Sequence, residues 1–217
     1  QEAEVLQENG IRELNLIAQD TTDYGSDLGI KDGLAALLER LLPAIPYIPW
    51  VRILYAYPGF VSDRLIDVMS SSNQLLPYLD MPLQHAHPAM LKRMKRPSDV
   101  DWVQKTITKM RERIPDLALR TTFITGFPGE TDAEFQTLLD FIREIEFDHV
   151  GVFPYSFELG TTAEPLGDPI SCEVKEERVA EIMQLQESIS LKRNQRLIGK
   201  TLDVLIEGEG DGISVGR

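Results

Sequence analysis

The chain has 217 residues, 42% apolar and 26% charged, a balance that gives a globular protein enough material for a sizeable core. No apolar run approaches the ~20 residues needed to cross a bilayer. The first residues, QEAEVLQENG, lack the basic start and apolar core of a signal peptide, so a cytoplasmic location without membrane association is expected. The formal charge of −13 disfavours broad binding to nucleic acid, whose affinity comes from Lys and Arg neutralising phosphates. It suits attraction to a basic partner, and equally simple solubility.

Strand-like and helix-like stretches alternate from the start. Ile11 to Ala18 reads as a strand, followed by IKDGLAALLERLL with apolar positions at helical spacing. Trp50 to Tyr57, rich in β-branched and aromatic residues, is the next strand, and LPYLDMPL is a short one. A helix runs from RPSDVDW to about Arg113, with Ser98 and Asp101 suited to its start and Val103, Ile107, Met110 and Ile114 on one face. LALRTTFITGF is a strand. Thr131 and Glu134 then form a capping box before a helix whose Phe135, Leu138, Leu139 and Ile142 mark the buried side. DHVGVFPYS is the last strand of the series. Ser171 opens a long helix with glutamates in its first turns and Lys192, Arg193 and Arg196 near its end, and Gly199 is a fitting stop.

This alternation predicts an α/β fold with a parallel sheet flanked by helices. About five strands are too few for a closed eight-stranded barrel, which needs about 250 residues, so an open or partial barrel is expected. After Gly199 the sequence turns to glycine-punctuated β character, which divides the chain into a barrel over 1–196 and the opening of a small β domain over 197–217.

Ligands of parallel α/β folds bind at the C-terminal ends of the strands. Those ends carry Gln19-Asp20-Thr21-Thr22-Asp23, Tyr57-Pro58-Gly59, Gln84-His85, Thr125-Gly126-Phe127-Pro128-Gly129-Glu130 and Pro154-Tyr155-Ser156. All five are polar or glycine-rich, which points to a site on this face. Singly, each has a structural reading: Asp20 and Asp23 as loop or capping residues, GFPGE as a tight turn, KRMKRP as a solvated helix end.

The two histidines of MPLQHAHP raise the question of a metal. Zinc needs three or four ligands. The third histidine, His149, opens a strand at the opposite end, and the single cysteine, Cys172, is distant in sequence. One cysteine also excludes an internal disulfide and any multi-thiolate metal site made by this chain alone. No metal site is therefore assigned here. His85 is expected to face a ligand pocket as a hydrogen-bonding group, and His87 to begin a helical turn ahead of Pro88.

LNLIAQDTTDYGSDLG, LPYLDMPLQHAHPAMLKRMKRPSD, RTTFITGFPGETDAEF and HVGVFPYSFELGTTA together resemble the radical S-adenosylmethionine methylthiotransferases. AQDTTDYG and QHAHPAMLKRMKRP resemble the ribosomal branch (RimO type), where the tRNA-modifying sibling (MiaB type) usually carries GQNVNSYG and QSGS. The resemblance implies a partial (β/α) barrel of the radical SAM type, about five of its six strands present, followed by the start of a TRAM-like domain. It implies S-adenosylmethionine and a [4Fe-4S] cluster at the strand ends, and a second cluster with a role in sulfur delivery. The reaction it implies adds a methylthio group to the β-carbon of an aspartate in small-subunit ribosomal protein twelve. The implied partners are that protein or the small ribosomal subunit, an electron donor and a sulfur donor.

Carried over by position, Gln19, Asp20 and Thr21 match the strand end that approaches the methionine amino group. Thr125 and Gly126 match the segment lying along the adenine, Tyr155 a last-strand contact to the same end, and Gln84 and His85 the middle of the barrel mouth. The sequence departs from the family in lacking the CxxxCxxC loop, whose aligned place falls upstream of Gln1, so the chain as it stands is expected to be an inactive central fragment. The remaining alternatives are the tRNA-modifying sibling, a non-catalytic scaffold for ribosomal components, and an unrelated metal-dependent barrel using His85 and His87.

Overall fold

The computed structural model describes all residues from Gln1 to Arg217. Its first element is an acidic helix, α1 (Glu2–Glu8), with no buried residue. Five parallel strands follow in simple sequential order: β1 (Glu13–Leu16), β2 (Trp50–Ile53), β3 (Leu75–Asp80), β4 (Ala118–Thr125) and β5 (His149–Pro154). The crossovers are helical: α2 (Gly33–Ala44), α3 (Asp63–Ser71), α4 (Pro88–Arg93) with α5 (Val100–Arg113), and α6 (Asp132–Ile145). The long helix α7 (Cys172–Gln195) then packs back on β5 and β4. The result is a partial (β/α) barrel, and none of its helices is long and apolar enough to cross a membrane.

One strand shows how the sheet is built. In β4, Leu119, Thr121, Phe123 and Thr125 are buried, while Arg120, Thr122 and Ile124 alternate with them and stay partly accessible. A strand projects successive side chains to opposite faces. The buried set packs under the helices, where Phe123 meets Phe147 edge-on at 6.0 Å between ring centres. The other set faces the hollow of the barrel, and that is why these parallel strands are not uniformly apolar. Core residues from every layer join in one cluster, among them Leu38, Ile53, Leu79, Phe123, Ile142 and Ile182.

The helix ends follow local chemistry. The capping box before α6 forms as the sequence predicts, with Thr131 and Glu134 each accepting a hydrogen bond from the other's backbone N–H. His87 caps α4 by accepting from the Ala89 N–H through Nδ1 at 3.2 Å. At α5 the cap is Asp99 rather than Ser98 or Asp101, because only its carboxylate reaches the exposed Trp102 N–H, at 2.9 Å. Helix α7 ends at Gln195, before Gly199, which adopts positive φ in the turns that follow.

Two helices exceed the sequence expectations, α1 and α3. Helix α3 is capped by Ser62 and buries Leu65, Ile66 and Met69. Its apolar set is only three residues long, too few to stand out as periodicity. The chain closes in an antiparallel hairpin, β6 (Ile206–Gly210) with β7 (Ile213–Gly216), turning at Asp211-Gly212, both at positive φ. That dipeptide is a favoured two-residue hairpin turn. Beyond it, Arg217 reaches the Glu13 carboxylate at 2.7 Å, tying the chain end to the start of β1.

Candidate active site

The C-terminal strand ends open into two adjoining grooves of about 420 Å³ each. They share Gln84, Arg96, Thr122 and Phe153 as a common wall. The first is polar, with Gln19, Asp80 and Arg120 beside Tyr55 and Tyr57. The second is lined by Met94, Ile124, Phe127, Pro154, Tyr155 and Ser156. A polar groove thus lies beside an apolar, partly aromatic one.

Two of the chain's seven non-glycine residues at positive φ lie here. Tyr55 has φ of 56° and Gln84 of 69°, both in the left-handed region that costs an L-residue about 1–2 kcal/mol. Both sit just past strand ends and both line the polar groove. Gln84 is held in this conformation by bonding into β4: its N–H donates to the Thr122 carbonyl and its own carbonyl accepts from Ile124 N–H, each at 2.9 Å. Such strain persists only where surrounding structure enforces it, and it gathers at functional positions.

The candidate residues at the first strand end divide. Gln19 lines the polar groove. Asp20 turns inward to cap the following 3-10 turn, accepting from the Thr22 N–H at 2.9 Å and from the Thr22 hydroxyl. Thr21 is buried, its hydroxyl donating to the Leu54 carbonyl at 2.9 Å. Asp20 and Thr21 therefore shape the strand end, and Gln19 is the member of the trio whose side chain the groove exposes.

His85 departs from the expectation that it faces the ligand pocket. Its side chain has no solvent exposure and lines neither groove. Nδ1 accepts from the His87 N–H at 2.9 Å, which leaves the ring proton on Nε2, 3.0 Å from Glu130 Oε1. The other carboxylate oxygen, Glu130 Oε2, accepts from the Gly126 N–H at 2.5 Å and from Arg178 Nη1 at 2.6 Å. Arg178 continues to Asp132 at 2.7 Å. His85 is thus the end of a buried chain that clamps the Gly126–Glu130 loop onto α7. With His85 committed to that chain and His87 to its cap, the two do not form a metal site. No three or more His, Cys, Asp or Glu side chains gather where they would hold an ion.

Gly126 lies at φ of 70°, and a Cβ there would sit 2.4 Å from Lys175 Cγ. Lys175 is buried across it, with Nζ 2.5 Å from Asp168 and donating to the Tyr155 carbonyl at 3.0 Å. The Tyr155 ring is held edge-on to Phe127 at 5.2 Å and 5.4 Å from the Lys175 ammonium. Thr125 is fully buried. Its Oγ1 and the Tyr155 hydroxyl have no hydrogen-bond partner.

Several site residues carried no recognisable signal in the sequence. Asp80 and Arg120 sit side by side on β3 and β4 with Nη1 to Oδ2 at 3.2 Å. Burial pushes the Asp80 carboxyl above its usual range, against the pull of the Arg120 charge. Burial likewise raises the Tyr78 hydroxyl, with the Asp80 charge adding to it, and burial raises Tyr57. Arg96 is exposed, as its basic run reads, and also lines both grooves.

Strand-end grooves on a partial barrel define a class of enzyme folds, and residues 1–142 match the radical SAM superfamily profile; the chain belongs to that superfamily. Over its whole length it is 51% identical to the ribosomal protein uS12 methylthiotransferase RimO of Chloroflexus aurantiacus, covering 49% of that protein. It is 52% identical to the protein of the same name from Roseiflexus sp. strain RS-1, covering 47% of it. The chain therefore spans about half the length of these curated relatives. Among solved structures it is similar to the radical SAM enzyme coproporphyrinogen III oxidase from Escherichia coli, with a TM-score of 0.59 at 18% identity, covering 71% of this chain and 37% of that one. That likeness is one of fold.

Proposed function

We propose that the protein carrying this chain is a radical SAM methylthiotransferase that adds a methylthio group to the β-carbon of an aspartate in ribosomal protein uS12. The observation that carries the reading is identity of about half the residues, maintained through the whole chain, to proteins named for that activity. The partners on this reading are uS12 or the small ribosomal subunit, an electron donor and a sulfur donor, and the place of action is the cytoplasm. Residues 1–196 serve as the barrel, and the hairpin after residue 197 as the opening of a TRAM-like domain.

The grooves fit S-adenosylmethionine in kind. Gln19 and Gln84 offer amide groups to its charged amino-acid end. Ile124, Phe127 and Tyr155 offer an apolar wall to its adenine, beside the Thr125-Gly126 backbone. When bound and reduced at a [4Fe-4S] cluster, S-adenosylmethionine supplies a radical able to abstract an unactivated hydrogen. Cluster iron is held by cysteine thiolates. The one cysteine here, Cys172, is exposed at the start of α7, so the ligands of a cluster are not among this chain's residues. What the chain contributes is placement. The Glu130–Arg178 clamp and the Lys175 stem hold the Gly126 loop in one shape, and Tyr155 and Phe127 line the apolar groove.

The test is to express the full-length protein, reconstitute it anaerobically, and supply reductant, sulfide, S-adenosylmethionine and small ribosomal subunits. Mass spectrometry of uS12 is expected to show one methylthio group in place of a hydrogen on an aspartate. Modification of tRNA with uS12 left unchanged would overturn the ribosomal reading in favour of the sibling activity. Reductive cleavage of S-adenosylmethionine with neither substrate modified would overturn both.

A further inference from the structure

Asp80 Oδ1 is a buried carboxylate oxygen with no hydrogen-bond partner, on a residue that is 3% exposed and lines the polar groove. A buried polar atom without a partner is costly, and folded proteins keep few of them. Its sister oxygen is engaged by Arg120 Nη1 at 3.2 Å. Arg120 is itself half exposed to the groove and pairs with no other carboxylate. The two residues stand opposite one another in the β3–β4 register. An unused acceptor therefore lies just under the floor of the groove, next to donors exposed on it, at a spacing set by two hydrogen-bonded strands.

We infer that Asp80 and Arg120 read a peptide bond of the acceptor protein, Oδ1 accepting its N–H and the guanidinium donating to the neighbouring carbonyl. This rests on the reading above in one respect, that the acceptor is a protein. The depth of the pair separates it from the cofactor residues. Thr125 stands five residues further along β4 than Arg120, about 16 Å at the usual rise of a strand. Register equates Leu16 with Ile53 and Ile53 with Leu79, so Gln19 stands about 7 Å nearer the rim than Asp80. A cofactor spanning Gln19 and Gly126 lies across the mouth, leaving the Asp80–Arg120 floor to the substrate. An extended peptide has an N–H and a C=O at each residue and needs no charge to satisfy both groups.

The inference is tested with the full-length, cluster-reconstituted protein and a fluorescent peptide copying the uS12 segment that carries the target aspartate. Anisotropy gives the peptide Kd, and equilibrium dialysis gives the Kd for S-adenosylmethionine. Asp80→Leu, which keeps bulk and removes the acceptor, is expected to weaken the peptide by about tenfold or more, the usual worth of a hydrogen bond to a charged group. Its Kd for S-adenosylmethionine is expected to stay within about twofold of wild type. Asp80→Asn, which retains an acceptor oxygen, is expected to lose less than Asp80→Leu.

An unchanged peptide Kd in Asp80→Leu overturns the inference, and so does a parallel loss of S-adenosylmethionine, which would assign the pair to the cofactor. If Asp80→Leu does not fold, Arg120→Gln decides by the same two constants. Wild type that binds no peptide defeats the ribosomal reading and this inference with it. Tight wild-type binding with an indifferent Asp80→Leu defeats the inference alone.

Discussion

His85 Nε2 and Glu130 Oε1 lie 3.0 Å apart with both side chains sealed from solvent, so one strand-end loop is fastened to another from behind the groove. Through its second oxygen Glu130 also holds the Gly126 N–H and the Arg178 guanidinium. Removing one partner of a buried pair leaves the other charge uncompensated, at a cost of about 3–5 kcal/mol. Arg178→Met strands the sealed Glu130 carboxylate without a cation and is therefore expected to lose stability of that order in urea titrations. An unchanged unfolding midpoint would show that the His85 and Gly126 N–H groups suffice to hold the charge.

Gly126 combines positive φ with a Cβ position already filled by the Lys175 stem. Gly126→Ala is expected to destabilise by about 1–3 kcal/mol from backbone strain, with the steric clash added. In a Lys175→Ala background the clash term disappears and the strain remains, so a double-mutant cycle should return a clear coupling. Additive losses in thermal or urea unfolding would mean that Lys175 yields without cost.

Asp80 is expected to make stability pH-dependent in the direction opposite to most carboxylates. Burial raises its folded-state pKa above the ordinary 3.8, against Arg120. The native state therefore holds this proton more tightly than the unfolded chain. The stabilisation is complete below 3.8 and is lost as pH rises through the raised value. Asp80→Asn cannot ionise. Its stability relative to wild type should climb with pH across that window and level off above it, measured by urea unfolding at a series of pH values. A flat difference would show that Arg120 compensates the burial fully.

Gln84 stands at φ of 69° in both grooves. Gln84→Gly relieves the left-handed strain of about 1–2 kcal/mol and adds the chain entropy of glycine, about 0.5–1 kcal/mol, so its stability should equal or slightly exceed wild type. Binding of S-adenosylmethionine, measured by dialysis on the reconstituted full-length protein, should weaken. A clear loss of stability instead would identify Gln84 as a packing residue.

Thr131 begins α6 with a complete capping box. Thr131→Ala is expected to cost about 0.5–2 kcal/mol, without changing the groove. Unaltered unfolding would mean that the α6 core residues alone hold the helix end.

Sequence patterns expressed nearest-neighbour physics well. The alternation of β4 and the Phe135–Ile142 stripe of α6 follow from strand and helix periods, and both elements are where those periods put them. The capping box needed only residues three apart, and the parallel order needed only helical crossovers between strands. Strand-end composition also located the face that carries the grooves.

Which side chains reach that face was decided by tertiary structure. His85 and Asp20 sit in polar strand-end motifs, yet each meets a nearer partner, Glu130 for one and Thr22 for the other, and turns from the groove. Arg96 is exposed, as its basic run reads, and lines both grooves from there. Helix α7 buries Lys175, Arg178 and Gln186 along with Ile182 and Ile189, so its inner face has no apolar period to detect. Those buried polar groups find their partners mostly outside the helix: Asp168 and Tyr155, Glu130, and the Phe147 carbonyl. Periodicity records how much of a face is apolar, whereas a buried charge or amide depends on a partner that only the folded chain brings within hydrogen-bond reach.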